Sequence, residues 1–230
     1  MITTVGFDAD DTLWQNERAF RDTQARFAAL LAPHADEADL MARLLAAERR
    51  NLGHYGFGVK GFVLSMIETA LEVTERRVDG AVIDALLAMG REMLAHPIDL
   101  LPGAEATVLA LRGRVRLILV TKGDLLDQER KLAQSGLGDA FDAVEIVRDK
   151  TPAVYDRIFA RHGDGAARSM MVGNSVKSDV LPAIAAGAWG VWVPHALTWE
   201  MERAAPPEDS PRFAKIGALD ELPALVDNML

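Results

Sequence analysis

Ile2-Thr3-Thr4-Val5-Gly6-Phe7-Asp8-Ala9-Asp10-Asp11-Thr12-Leu13 opens the chain with a short apolar run that stops at three carboxylates within four positions. An apolar run of this length bounded by acidic residues reads as a buried parallel strand, Ile2 to Phe7. Similar runs recur at Val115 to Val120, Ala143 to Val147, Ser169 to Val172 and Gly190 to Val193. Helical patterns lie between them, so the chain alternates strand and helix. Thr151 is placed to cap a helix whose first position is Pro152. Asp220 is placed to cap a last helix carrying Leu222, Leu225, Val226 and Met229 on one face. Residues 195 to 212, rich in proline, read as an irregular connection.

Between the first two strands lies far more chain than one crossover helix needs. That segment, Trp14 to Pro97, holds only helical periodicity: Phe20, Phe27, Leu30 and Leu31, then Leu40, Leu44 and Leu45, then Phe62 to Leu71 and Val82 to Leu94. The expected architecture is α/β: a Rossmann-like three-layer parallel core of five or more strands (1–13 and 99–230) with an inserted all-helical cap domain (14–98).

Composition narrows the function classes. The net charge is -9, which argues against nucleic acid as a partner, because phosphate backbones are bound through clustered Lys and Arg. From Trp14 to Ile98 the chain has 10 Lys and Arg against 12 Asp and Glu, so most of the acidity lies outside the cap. No stretch approaches the roughly 20 apolar residues of a membrane span, and no signal-like start precedes the first strand. The absence of cysteine excludes disulfides and thiolate chemistry, and a cytoplasmic protein, monomer or homodimer, is the expectation. An acidic chain that binds a phosphate ester must offset the repulsion locally, through a cation, a lysine or backbone amides.

The strand ends carry suitable residues. Asp8, Asp10 and Asp11 crowd the end of the first strand, where an open α/β sheet places its ligands. After the second strand comes Thr121-Lys122-Gly123-Asp124, a hydroxyl followed by backbone amides entering a helix, suited to phosphate oxygens. Lys150 follows the third strand; Gly173-Asn174-Ser175, with Asp179 beyond, follows the fourth. Singly each has a plain structural use as helix cap, turn former or surface residue. Together, in order, they form the set that metal-assisted phosphoryl transfer needs. The five histidines, His34, His54, His96, His162 and His195, show no ligand spacing.

This pattern resembles the haloacid dehalogenase-like hydrolases, whose motifs run Asp-x-Asp-x-Thr, Thr or Ser, Lys, and Gly-Asp-x-x-x-x-Asp, with a helical cap inserted after the first. The resemblance covers nearly the whole chain. It implies a phosphomonoesterase acting on a small phosphorylated metabolite, with Asp8 as nucleophile and Asp10 as acid and base. Thr121 and Lys150 would hold the phosphoryl oxygens, helped by Lys122 and Gly123. Magnesium would sit on Asp8, the Asp10 carbonyl and the Asn174–Asp179 motif. This chain departs from the family in having Asn174 where the motif's first Asp stands, and in carrying Asp11 where many relatives have Gly. Within the cap, Gly53 to Gly61 reads as a mobile loop whose Tyr55 and Lys60 could touch the substrate. A haloacid dehalogenase is the rival on the same fold, but those enzymes lack the second Asp that Asp10 supplies. A phosphoacceptor module is the non-enzyme rival; it would be shorter and uncapped.

Overall fold

The computed structural model describes residues 1–229, and the chain divides into two compact units. The first comprises 1–17, 98–122 and the chain from Gln128 on; the second comprises 18–97 together with 123–127.

The first unit is built on a six-stranded, wholly parallel sheet: β1 (Thr4–Phe7), β2 (Arg116–Lys122), β3 (Ala143–Val147), β4 (Ser169–Gly173), β5 (Trp189–Trp192) and β6 (Phe213–Lys215). Their order across the sheet is β3-β2-β1-β4-β5-β6. Alternate side chains feed opposite cores, as the period of a strand requires. On one face Val5, Phe7, Leu117, Leu119, Met170 and Val172 pack with Ala104, Val108 and Leu111, and with Leu222 and Val226 near the chain's end. On the other, Ile118, Val120 and Met171 pack with Tyr155, Ile158 and Phe159. Both faces being covered explains why the strands read as continuous apolar runs. The order reverses between β1 and β4, and an α/β sheet opens its ligand crevice at such a switch point, beyond the strand ends. Asp8 and Asn174 follow those two strands.

The second unit contains α1 (Glu17–Leu31, from Arg18 on), α2 (Glu37–Tyr55), α3 (Val59–Val73) and α4 (Gly80–Ala95). Asp36 caps α2 by accepting the Asp39 amide at 2.9 Å, and Asp79 caps α4 by accepting that of Ala81 at 2.9 Å. Phe27, Leu31, Leu40, Leu44, Met66 and Leu86 form the centre of its apolar core.

The remaining helices are α5 (Ala104–Leu111), α6 (Leu125–Ser135), α7 (Pro152–His162), α8 (Leu181–Ala185) and α9 (Leu222–Asp227). Thr151 caps α7 as expected, with Pro152 in its first turn.

The structure corrects two local expectations. The Gly53–Gly61 stretch is mostly helix, since α2 runs through Tyr55 and α3 begins at Val59. Only Gly56, at φ 74°, to Gly58, at φ 114°, break the chain. Asp220 does not cap the last helix; the Glu221 carboxylate instead accepts the Gly217 and Ala218 amides at 2.9 and 3.1 Å. Beyond the connection at 195–212, Phe213–Lys215 adds a sixth strand.

Candidate active site

Asp8 leaves β1 with its side chain almost enclosed, and two groups hold it. Lys150 Nζ donates to Oδ1 at 2.5 Å, and the Thr12 hydroxyl donates to Oδ2 at 2.9 Å. Lys150 also donates to Asp179 Oδ1 at 2.6 Å, so one buried ammonium lies between two carboxylates. Burial pushes the Asp8 carboxyl up to about 7 despite the pull of Lys150, and the Asp179 charge adds to the rise. Burial works against the Lys150 ammonium too, but Asp179 and Asp8 outweigh it and keep its pKa above the usual lysine range. With both carboxylates ionised the three charges sum to -1 in a buried place, an arrangement that a hard cation would complete.

Asn174 sits beside this cluster. Its backbone N–H donates to Thr12 Oγ1 at 3.0 Å, its backbone carbonyl accepts the Trp192 indole N–H at 2.9 Å, and its Oδ1 lies 3.3 Å from Thr12 Oγ1. The Thr12 hydroxyl has one proton, and the shorter contact takes it to Asp8. Asn174 Oδ1 therefore keeps lone-pair capacity toward the same place as Asp8 Oδ2. Among the described residues no three His, Asp or Glu side chains gather as a metal-binding group. The hard-oxygen donors are one carboxylate and one amide, to which the Asp10 carbonyl could add a third. That donor chemistry fits magnesium, which holds few protein ligands and keeps water for the rest.

Asp179 is differently occupied. Besides Lys150 on Oδ1, its Oδ2 accepts the Ser175 amide at 2.9 Å. It lies in a π-helical turn, Val176–Val180, a departure from α geometry that is frequent at functional sites. Its side chain folds directly over Gly173, where a Cβ would come within 2.2 Å of Oδ2. Only glycine allows that approach.

Asp10 has three donors. Trp14 Nε1 at 2.7 Å and Lys131 Nζ at 2.9 Å reach Oδ1, and Gln128 Nε2 at 2.8 Å reaches Oδ2. Burial raises its carboxyl, but Lys131, Gln128 and Trp14 together hold it below the usual range. Asp11 adopts φ 59° and accepts the Asn16 and Glu17 amides at 2.9 and 3.0 Å. It caps α1 from a left-handed conformation that Asp tolerates better than most residues.

Thr121 is buried at the end of β2. Lys122 turns to Glu202 Oε1 at 2.5 Å and Ser178 Oγ at 2.8 Å. Gly123 takes φ 145°. In the second unit, Tyr55 is exposed at the end of α2, and Lys60 pairs with Asp124 at 2.8 Å.

The structure thus gathers Asp8, Thr12, Lys150, Asn174 and Asp179 into one cluster and sets Asp10 in a second. Sequence reading missed Gln128, Lys131 and Glu202. The first two stand three apart on α6 just past Thr121–Asp124, a helical spacing that could have found them. Glu202 has no periodic signal around it.

The haloacid dehalogenase-like hydrolase family matches residues 2–187. A crystal structure of a haloacid dehalogenase-like family hydrolase from Xanthomonas campestris is 41% identical, with a TM-score of 0.89 over 99% of this chain and 91% of that one. A glyceraldehyde 3-phosphate phosphatase from Methanothermobacter thermautotrophicus is 28% identical over 223 residues, 88% of this chain and 90% of the relative. Pyrimidine 5'-nucleotidase YjjG of Escherichia coli (strain K12) is 31% identical over 99 residues, a match spanning 40% of this chain and 44% of that protein. With the family match running from β1 past the Asn174–Asp179 turn, the chain belongs to the haloacid dehalogenase-like hydrolases.

Proposed function

We propose that this hydrolase is a magnesium-dependent phosphomonoesterase acting on a small phosphorylated metabolite through an aspartyl-phosphate on Asp8. The observation that carries the reading is the pairing of Asp8, held between Lys150 and Thr12, with a second aspartate two residues on. Displacing halide from carbon needs no proton donor. Expelling an alkoxide from phosphorus does. The names of two relatives, a glyceraldehyde 3-phosphate phosphatase and a pyrimidine 5'-nucleotidase, support the same chemistry.

In this mechanism Asp8 Oδ attacks phosphorus, the ester P–O bond breaks, and protonated Asp10 gives its proton to the leaving oxygen. In the second step Asp10, now a carboxylate, takes a proton from the water that opens the acyl phosphate. Its three donors suit that second role. The arriving phosphate charge raises its pKa toward the first. Thr121 and Lys150 hold phosphoryl oxygens. Asp8, the Asp10 carbonyl and Asn174 would hold magnesium, which supplies charge neutralisation between carboxylate and phosphate. Asp179, held by the Ser175 amide, works through Lys150, which it orients toward Asp8.

The test is product release from a panel of phosphomonoesters, beginning with glyceraldehyde 3-phosphate and pyrimidine nucleotides, run beside a 2-haloacid. Metal-requiring phosphate release with no halide release is expected. Halide release without phosphate release would make the protein a dehalogenase, and a stable phosphoprotein without turnover would make it a phosphoacceptor.

A further inference from the structure

A third, part-buried charge cluster adjoins that of Asp8, and its centre is Glu202. This residue ends the single turn Glu200–Glu202 in the connection between β5 and β6. Its side chain is only 14% exposed. Oε1 accepts Lys122 Nζ at 2.5 Å, while Oε2 accepts the Ser175 hydroxyl at 2.6 Å and the Ser178 hydroxyl at 2.5 Å. Each hydroxyl also accepts a bond: the Ser178 amide reaches Ser175 Oγ at 3.0 Å, and Lys122 reaches Ser178 Oγ at 2.8 Å. Burial raises the Glu202 carboxyl, but Lys122 and the two serines outweigh it and bring it below the usual range.

The partners come from two strand ends. Lys122 follows Thr121 at the end of β2. Ser175 and Ser178 flank the turn that carries Asn174 and Asp179. The path continues inward, because the Ser175 amide donates to Asp179, Asp179 holds Lys150, and Lys150 holds Asp8. We propose that Glu202 is a positioning residue that ties the Thr121 side of the site to the Asn174–Asp179 side and so fixes their separation. Two oxygens meeting three donors from two strand ends set a distance more rigidly than a single ion pair does. This inference rests on the phosphomonoesterase reading. Its plain competitor is that Glu202 only anchors the irregular connection, a task shared by Lys177, which donates to the Met201 carbonyl at 2.6 Å.

Three variants separate the two, assayed with p-nitrophenyl phosphate at saturating magnesium and well below each melting temperature. Displacing catalytic groups by a fraction of an ångström costs turnover rather than binding, so Glu202→Ala should lose about 100-fold in kcat with KM within about threefold. Ser178→Ala, which cuts one strand of the tie and keeps the Lys122 pair, should lose about tenfold in kcat. Lys177→Ala, which loosens only the connection, should leave kcat unchanged. A kcat for folded Glu202→Ala within about twofold of wild type overturns the proposal; if that variant does not fold, the same result for Ser178→Ala overturns it. A loss in Lys177→Ala equal to that in Ser178→Ala overturns it too, since anchoring would then be the cause. Failure of the wild type itself on every phosphate ester would instead sink the phosphomonoesterase reading.

Discussion

The two units handle charge in opposite ways. In the first, Lys150 and Asp179 have side chains 1% exposed and Asp8 one 9% exposed, all within a single ion network. In the second, the ion pairs lie in solvent: Arg26 with Glu92, and Arg43 with Asp39 and Glu72. Taking an ion out of water costs several kcal/mol even after relaxation, and a buried pair is weak support for stability. The helical unit builds its core from Phe27, Leu40 and Met66 and keeps those ion pairs outside it, although it too buries two carboxylates, Glu48 and Asp127. The buried ions beyond β1 and β4 therefore mark work other than holding the fold together.

The largest expected difference comes from removing the central charge. Asp8→Asn should lower turnover by at least about 1,000-fold, since nothing nearby replaces the attacking carboxylate. It should still fold, because Lys150 keeps Asp179 as its counterion. Phosphate release above a few per cent of wild type would take the nucleophile's role away from Asp8 and with it the meaning given to the buried network.

One substitution made in both units sharpens the comparison. At Gly173 an added Cβ meets Asp179 at 2.2, 2.4 and 2.8 Å, and that side chain is pinned by Lys150 and Ser175. Gly173→Ala should therefore destabilise by about 3 kcal/mol and abolish most activity, combining overpacking with a strained buried ion pair. At Gly53, in the last turns of α2, the same methyl meets nothing within 4 Å. Gly53→Ala should raise stability by about 0.5–1 kcal/mol, the helix preference of Ala over Gly. Chemical denaturation of both variants checks the pair. Equal effects would mean that the tight approach over Gly173 relaxes freely.

That contrast also explains what could be read from sequence and what could not. The gathering of Asp8, Lys150 and Asn174 was legible because each stands at or just past the end of an apolar run, and the fold assembles such ends. The sheet was legible for the same reason: β1, β2 and β4, covered on both faces, carry apolar runs, and the edge strand β3 keeps one despite Glu145 at its centre. Strand β6 was not. It has three residues, too few to show a period, and follows a proline-rich stretch. Glu202 was invisible because its partners are Lys122, Ser175 and Ser178, brought near by tertiary folding alone. The loop expected at Gly53–Gly61 failed because glycine content was read as flexibility, although Gly53 and Gly61 lie within helices. The capping role given to Asp220 failed because Glu221 reaches back to the same turn.

The smallest effect is expected where the second unit keeps its charges. Arg26 Nη1 lies 2.6 Å from Glu92 Oε2, with side chains 50% and 59% exposed. Their shifts run in opposite directions, as a favourable pair requires: the hydrogen bond to Glu92 raises Arg26, and the same bond lowers Glu92. A depressed carboxyl stabilises the fold above its ordinary pKa and loses that contribution as pH falls through the folded value. For an exposed pair, solvent screening and the entropy of holding two long side chains in place consume nearly all of it. Arg26→Met, Glu92→Gln and the double variant should therefore share the wild-type unfolding midpoint at pH 7, with no coupling between the two sites, and 0.5 M salt should not change that. A coupling that is resolved at pH 7 and disappears at pH 3 would show that this unit, like the first, draws stability from a specific ion pair, and the division between buried working charge and exposed idle charge would fail at its simplest point.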